Sequence, residues 1–310
     1  MTLLSIVSPE NPAIVLVNPF SGGGRGREYV RELRDFFAAS SVSATFVIPG
    51  SAEDLDLRVR SALAAGSRVL LALGGDGTLQ RIVNAAAGSD FLLGILPAGG
   101  GNDFAAALGV PKNPVAAGKL LLKAQARAVD LVRARCAVGR ERLYLGGGGV
   151  GLDAETARYS AQFGWLPGRG RYIAGALRAL RDFKPLQVRA EFPDQNREPI
   201  TQQVLLAGVL NTPTYGAGLR LAPEARIDDG LLDLLFVNNL SASQVCAAVP
   251  RLLTRGDLPE TYLRRASAPR VRLSADRDSL FHGDGEIIGS APVEVEVVPK
   301  ALRVLAPSGQ

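Results

Sequence analysis

The sequence predicts an N-terminal α/β domain built on a parallel sheet, followed by a C-terminal, largely antiparallel β-domain. Three observations predict this. Short apolar runs alternate with helical patterns through the first third of the chain. From about residue 128, period-2 alternation separated by Gly, Asp, Asn and Pro turns takes over. The glycines gather in tight clusters, most of them directly after early strands. The expected bounds are residues 1–128 and 129–298, with a tail of about 299–310 expected to pack back on the first domain.

The elements follow in order. Ala13–Val17, Ala44–Ile48, Val69–Leu73 and Leu93–Leu96 are apolar runs of strand length. Between them, residues 26–39, 52–65 and 78–87 carry apolar residues at helical spacing, with Leu55, Val59 and Leu63 forming one face. Helices over 102–108 and 113–124 close the region. In the second half, Val129–Ala134, Leu143–Leu145, Leu186–Phe192, Val204–Leu210, Leu231–Val237, Arg270–Leu273 and Val293–Val298 are the expected strands. Helices over about 170–182 and 241–253 interrupt them.

Composition removes several function classes. The 310 residues are 47% hydrophobic and 21% charged, as in a globular protein. Cys136 and Cys246 provide neither a disulfide framework nor a thiolate zinc site, and are expected to be core or half-buried thiols. One histidine, His282, excludes His-rich metal sites and is expected to be solvated at a strand end. A net charge of +5 without clustered basic and aromatic residues speaks against nucleic acid as a partner. No signal peptide and no membrane span is read, so the chain is expected to be cytoplasmic or peripheral to a membrane. Its oligomeric state, homodimer included, is left open.

Glycine makes up 35 residues, about 11% where roughly 7% is usual. Fifteen of the 35 lie in four clusters, at 22–26, 74–77, 99–101 and 146–151. Three clusters follow a strand and precede a helix, where backbone N–H groups and helix N-termini receive phosphate. Glycine suits such turns because a Cβ blocks close approach. No G-x-x-x-x-G-K-[ST] is present. Gly146-x-Gly148-x-x-Gly151 matches a dinucleotide fingerprint only formally, since it sits in the β-rich half without an acidic residue at the required distance.

Leu73-Gly-Gly-Asp-Gly-Thr-Leu79, Asn18-Pro-Phe-Ser-Gly22 and Pro97-Ala-Gly-Gly-Gly-Asn-Asp103 together resemble the diacylglycerol kinase catalytic family. Soluble bacterial lipid kinases and sphingosine kinases belong to that family, which is distantly akin to NAD kinases and phosphofructokinases. The likeness continues through Ala128-Val-Asp130, the stretch Leu221–Asp233, and Asp284-Gly-Glu286. It implies a nucleotide-binding first domain, a β-sandwich second domain and an active site in the cleft between them. It further implies ATP and Mg²⁺ as cofactors and a lipid substrate at a membrane surface. Gly74, Gly75, Gly77 and Thr78 would lie at the nucleotide's phosphates. Asn102, Gly99 and Gly101 would approach from the fourth turn, and Asn18, Ser21, Gly22 and Arg25 from the first.

Phosphoryl transfer needs a neutralised phosphate chain and a group to take the alcohol proton. By the resemblance, Asp76, Asp103, Asp130 and Glu286 hold Mg²⁺ and Asp284 is the base, with Glu286 orienting it or binding metal. Asp76 is counted with the catalytic residues. Each has an alternative reading: Asp284-Gly285 as a hairpin turn, Asp76 as a cap on its following helix, Asp103 as a first-turn acid. Asp130 lies between Val129 and Leu131 in a strand and needs a buried partner. In some relatives the Asp228–Leu231 turn holds a structural metal, which here would involve Asp229 and Leu231; a plain Asp-Gly turn is the equal alternative.

Residues 158–184 mix Phe163, Trp165 and Leu166 with Arg158, Arg169, Arg171, Arg178, Arg181 and Lys184. Ile173, Leu177 and Leu180 share a helix face that is expected to pack on the domain, the arginines being solvated; the alternative is docking on anionic lipid. The chain departs from the family pattern at Gly100, Arg81, Ala106 and Gly146. An NAD kinase and a catalytically silent nucleotide- or lipid-binding module are the other readings.

Overall fold

The computed structural model describes residues 3–19, 21, 26–163, 165, 166, 170–216, 218–254, 256 and 258–307. The chain divides into two units, Met1–Val129 with Lys300–Gln310, and Asp130–Pro299. Gly22 and Arg25, expected at a phosphate, lie outside the described residues, as do Arg169 and the side chains of Arg171 and Cys246.

In the first unit, β1 (Ala13–Val17), β2 (Ala44–Val47), β3 (Val69–Gly74) and β4 (Leu92–Pro97) pair in parallel in the order β4-β3-β1-β2. β3 and β4 are buried throughout, which is why they read as unbroken apolar runs rather than alternating ones. At the free edge of β4, Arg303 and Val304 near the chain's end add a further parallel strand opposite Leu92 and Leu93. The crossovers are α1 (Gly26–Ala39), α2 (Ala52–Ala64) and α3 (Asp76–Ala85), followed by α4 (Asp103–Ala107) and α5 (Pro114–Leu121). Val30, Leu33 and Phe37 form the buried stripe of α1. Ser51 caps α2 by accepting from Asp54 N at 3.2 Å, and Asn113 caps α5 ahead of Pro114. The helix expected from residue 78 starts at Asp76.

The second unit contains β5 (Gln125–Gly139, begun in the first unit), β6 (Glu141–Tyr144), β7 (Gly147–Gly151), α6 (Leu152–Gln162) and α7 (Gly170–Asp182). β8 (Leu186–Glu191), β9 (Ile200–Leu210), β10 (Leu232–Asn238), α8 (Ala242–Thr254), β11 (Leu263–Ala268), β12 (Arg270–Ala275), β13 (Leu280–Gly283) and β14 (Glu286–Ala306) follow. Two long strands organise it by changing partners along their length. β9 pairs with β8 through Ile200–Val204 and with β7 through Leu206–Leu210. β14 pairs with β13 through Glu286–Ser290 and with β12 through Val293–Glu296. The antiparallel circuit β9-β7-β13-β14-β12-β8 therefore closes on itself. Leu186, Val188, Ala190, Val271, Leu273, Val293 and Val295 fill its interior at alternate positions.

Four elements of this unit carry no expectation from sequence: β7, α6, β11 and β13. β7 is almost all glycine, so no side chains exist to show a period. α6 buries only Ala154, Ala157 and Ser160, too small to show as an apolar stripe. β11 is rich in arginine, and β13 is four residues long. The β7 glycines make room for large neighbours. A Cβ on Gly148 would lie 2.4 Å from the His282 carbonyl oxygen, and one on Gly147 would lie 2.5 Å from Leu210 Cδ2. Gly148→Ala should therefore cost about 1–3 kcal/mol. Gly208→Ala, whose Cβ would meet nothing nearer than 3.7 Å, should cost far less. Urea midpoints of the two variants check this.

Candidate active site

The turns after β1, β3 and β4 are interlocked. Asn18 N donates to Leu73 O at 2.9 Å, and its Nδ2 donates to Thr78 Oγ1 at 3.0 Å. Ser21 Oγ donates to Asn18 O at 2.7 Å. Gly74 lies beneath Thr78, whose Oγ1 would be 2.5 Å from a Cβ there. Gly75 and Gly99 meet backbone to backbone: a Cβ on Gly99 would be 2.5 Å from Gly75 Cα. The two glycines therefore serve first to bring two turns together. Gly77 and Gly101 are half-buried beside them.

Asn102, in the left-handed region at φ 58°, is buried and braces its own turn. Its Oδ1 accepts from Gly99 N at 3.0 Å and its Nδ2 donates to Gly99 O at 2.9 Å. Asp76 is the first residue of α3, yet it caps α4 instead. Its carboxylate accepts from Asn102 N at 2.7 Å and from Asp103 N and Phe104 N at 3.4 Å. The amide of Asn102 and the first N–H groups of α4 are thus committed to protein partners. Burial and the neighbouring Asp103 carboxylate push Asp76 up to about 6, against the pull of those three donors.

Arg81, one of the departures from the family pattern, holds α3 to α2. Its guanidinium grips Asp56 through Nε at 2.8 Å and Nη2 at 3.0 Å, and donates to Ala52 O at 2.7 Å.

In the second unit, Asp284 and Gly285 form the two-residue hairpin turn between β13 and β14, both at positive φ (50° and 85°). The turn reading and the site reading coexist, because the Asp284 side chain is held separately. It accepts from Leu145 N at 2.8 Å, Gly146 N at 2.9 Å and Gly147 N at 3.2 Å. At Gly146, a second departure, a Cβ would lie 3.1 Å from Asp284 Oδ1, a tight contact with the held carboxylate. Glu286, the first residue of β14, is exposed.

His282 corrects the expectation of a solvated histidine. It is 3% exposed within β13. Its Nε2 lies 2.5 Å from Tyr215 Oη and 3.2 Å from Asp153 Oδ2, and the Tyr215 hydroxyl donates to the same Asp153 oxygen at 2.9 Å. On the other side of the ring, Nδ1 accepts from Gly285 N at 3.3 Å. Burial and the Asp153 charge hold the Tyr215 hydroxyl far above its usual range, so it stays a donor. Asp153 and Tyr215 have no motif around them in the sequence. The glycines of β7 are the one local hint, since Asp153 Oδ2 fills the space where Gly149 would carry a Cβ.

Asp130 is fully buried, and its Oδ2 accepts from Gly230 N at 2.8 Å. This is the partner its buried position requires. The Asp228–Leu231 segment is a turn in which Asp229 Oδ1 accepts from Leu231 N at 3.0 Å. Among the described residues no three His, Cys, Asp or Glu side chains converge to hold a metal. Asp76 and Asp103 nevertheless fit one: magnesium takes one or two carboxylates and completes its shell with water and substrate phosphate. Cys136 is half-buried, and burial pushes its thiol up to about 11.

The chain matches two family models, the diacylglycerol kinase catalytic domain over residues 12–134 and the YegS C-terminal NAD kinase beta sandwich-like domain over residues 148–306. It is 30% identical to a "Diacylglycerol kinase" of Mycobacterium tuberculosis, with 94% of each chain covered. It is 35% identical to a "Probable lipid kinase YegS-like" of Pseudomonas aeruginosa, with 83% of each covered. Among solved structures, a diacylglycerol kinase from Bacillus anthracis matches with a TM-score of 0.74 at 19% identity, over 96% of this chain and 97% of that one. At that identity the last likeness concerns the fold alone.

Proposed function

Since the chain belongs to the diacylglycerol kinase catalytic-domain family, we propose that it transfers the γ-phosphoryl group of ATP to the hydroxyl of a diacylglycerol- or sphingoid-type lipid. Family membership makes it a lipid kinase, a phosphotransferase acting on a lipid alcohol. The finer reading is supported by one arrangement: the Asp76 and Asp103 carboxyls stand beside each other at the glycine turns where β3 and β4 end. Two adjacent carboxylates in a half-buried place repel each other, and a divalent cation relieves that repulsion. Mg²⁺ held by Asp76 and Asp103 would neutralise charge on the phosphate chain. Asp284 takes the proton of the lipid hydroxyl as it attacks, while its backbone donors keep the carboxylate in place. Glu286, two residues on, would orient Asp284 or bind the metal.

Labelled ATP offered separately with diacylglycerol, sphingosine and NAD tests this reading. Magnesium-dependent label in a lipid is the expected result. Label in NAD, or nucleotide binding without transfer to any lipid, would overturn it.

The substrate lies in a membrane, and α7 suits one. α7 meets α6 through small residues: a Cβ on Gly175 would lie 2.8 Å from Thr156 O, and Ala179 is fully buried. This reverses the expectation that Ile173 and Leu177 pack on the domain. They are 60% and 64% exposed, and Trp165 is 77% exposed. Arg178, Arg181 and Lys184, on α7 and just beyond it, are exposed as well. We infer that this surface docks on an anionic bilayer, the apolar side chains entering the interface beside the cations. Replacing Trp165, Ile173 and Leu177 together by Ser should abolish binding to phosphatidylglycerol vesicles, with the thermal midpoint unchanged. Undiminished vesicle binding would exclude this surface. No helix among the described residues is long and apolar enough to cross a membrane.

A further inference from the structure

We propose that Asp153, Tyr215 and His282 form a buried positioning relay that holds the Asp284–Gly285 turn, and with it the Asp284 carboxylate, in its working geometry. The proposal rests on the reading of Asp284 as the base. Its basis is the direction of each hydrogen bond. Gly285 N can only donate, so His282 Nδ1 is the acceptor and the ring proton is on Nε2. That N–H faces Tyr215 Oη at 2.5 Å and Asp153 Oδ2 at 3.2 Å. The Tyr215 hydroxyl passes its own proton toward Asp153 Oδ2, which as a carboxylate only accepts. The chain of donors is therefore consistent in one direction, from imidazole to phenol to carboxylate, and it leaves Nδ1 for the turn.

The relay is anchored at both ends. Asp153 sits in the first turn of α6, where its Oδ1 accepts from Ala154 N at 2.9 Å. At the other end, the turn is held from two sides. His282 takes the N–H of Gly285, while Leu145, Gly146 and Gly147 donate to the Asp284 side chain and Gly147 O accepts from Asp284 N at 2.8 Å. The three backbone donors hold the carboxylate itself, and the His282–Gly285 bond holds the turn that carries it. A buried network whose members are all satisfied is rigid. Placement within a fraction of an ångström governs the efficiency of a positioned catalytic group. Aliphatic side chains would fill the same space without the desolvation of three polar groups, but they offer Gly285 no acceptor.

His282→Phe keeps the bulk and removes the acceptor. It should lower kcat for lipid phosphorylation by ~10- to 100-fold, leaving KM for ATP within about twofold. His282→Asn places an amide oxygen near Nδ1 and should restore most of that loss. Tyr215→Phe should fall between the two. Equal losses in the Phe and Asn variants, or losses that track a lowered thermal midpoint, would show a structural role only and overturn the proposal. Asp284→Asn separates the two readings. Full activity there removes the base assignment, whereas its loss alongside full kcat in His282→Phe removes only the relay. If His282→Phe does not fold, the unsubstituted protein decides. His282 is the one histidine of the chain, so a long-range ¹H–¹⁵N spectrum without an added histidine tag reports its tautomer directly. An Nε2–H tautomer supports the relay; Nδ1–H overturns it.

Discussion

Asp284→Asn is expected to reduce lipid phosphorylation by about 10²–10⁴-fold, the range lost when a positioned general base is removed. The substitution suits the turn, because asparagine accepts positive φ and Asn-Gly is favoured in two-residue hairpins. What changes is the charge and one face of the side chain. Asn Oδ1 still accepts from Gly146 and Gly147, but its amide group meets Leu145 N–H donor against donor, at a cost of about 1–3 kcal/mol. The variant should therefore be folded, slightly less stable, and able to bind nucleotide normally. Measuring kcat, nucleotide affinity and the urea midpoint together distinguishes loss of the base from loss of the fold. A variant with unchanged kcat would show that Asp284 serves the turn alone.

Asp76→Asn should be comparably inactive and should change the pH dependence of stability in a defined direction. Asp76 is raised from 3.8 to about 6 in the folded chain. A raised acid holds its proton more tightly folded than unfolded, so ionising it opposes folding. Its penalty is present in full above about 6 and disappears as pH falls toward 3.8. Two units correspond to about 3 kcal/mol. Metal-free protein should thus lose less stability than its other carboxylates dictate as pH falls from 7 to 5, and Asp76→Asn should remove that difference. Function runs the other way. Protonation below about 6 removes the anion proposed to hold Mg²⁺, so binding of magnesium nucleotide should weaken through the same range. Denaturation and titration calorimetry at pH 5, 6 and 7, with and without magnesium, check both signs.

The two units differed in how much of them showed in the sequence. In the first, strands buried on both faces leave continuous apolar runs, and glycine turns must follow them wherever two backbones approach. Gly75 and Gly99 were therefore visible as a pair of motifs. Their contact with each other was not, since it depends on strand order. Asp76 shows the same limit. A cap on its own helix is a local expectation, whereas capping α4 across 26 residues of chain is a tertiary one. In the second unit, α7 was legible as a helix, but not which face it buries. Gly175 fits closely against α6 and Ala179 is fully buried, so the small face is covered and Ile173 and Leu177 point outward.

The glycine excess had two separate causes. By itself the sequence determined the family, the parallel α/β beginning and the β-rich remainder, because those depend on short-range pattern and motif order. Only the tertiary structure decided what the 146–151 glycines are for. They form a strand without side chains, and into the space beside it come Asp153, Tyr215 and His282 from three separate stretches of chain. A strand that presents no side chains leaves no periodicity to read. Its meaning lies in what its neighbours place there, which the fold alone brings together.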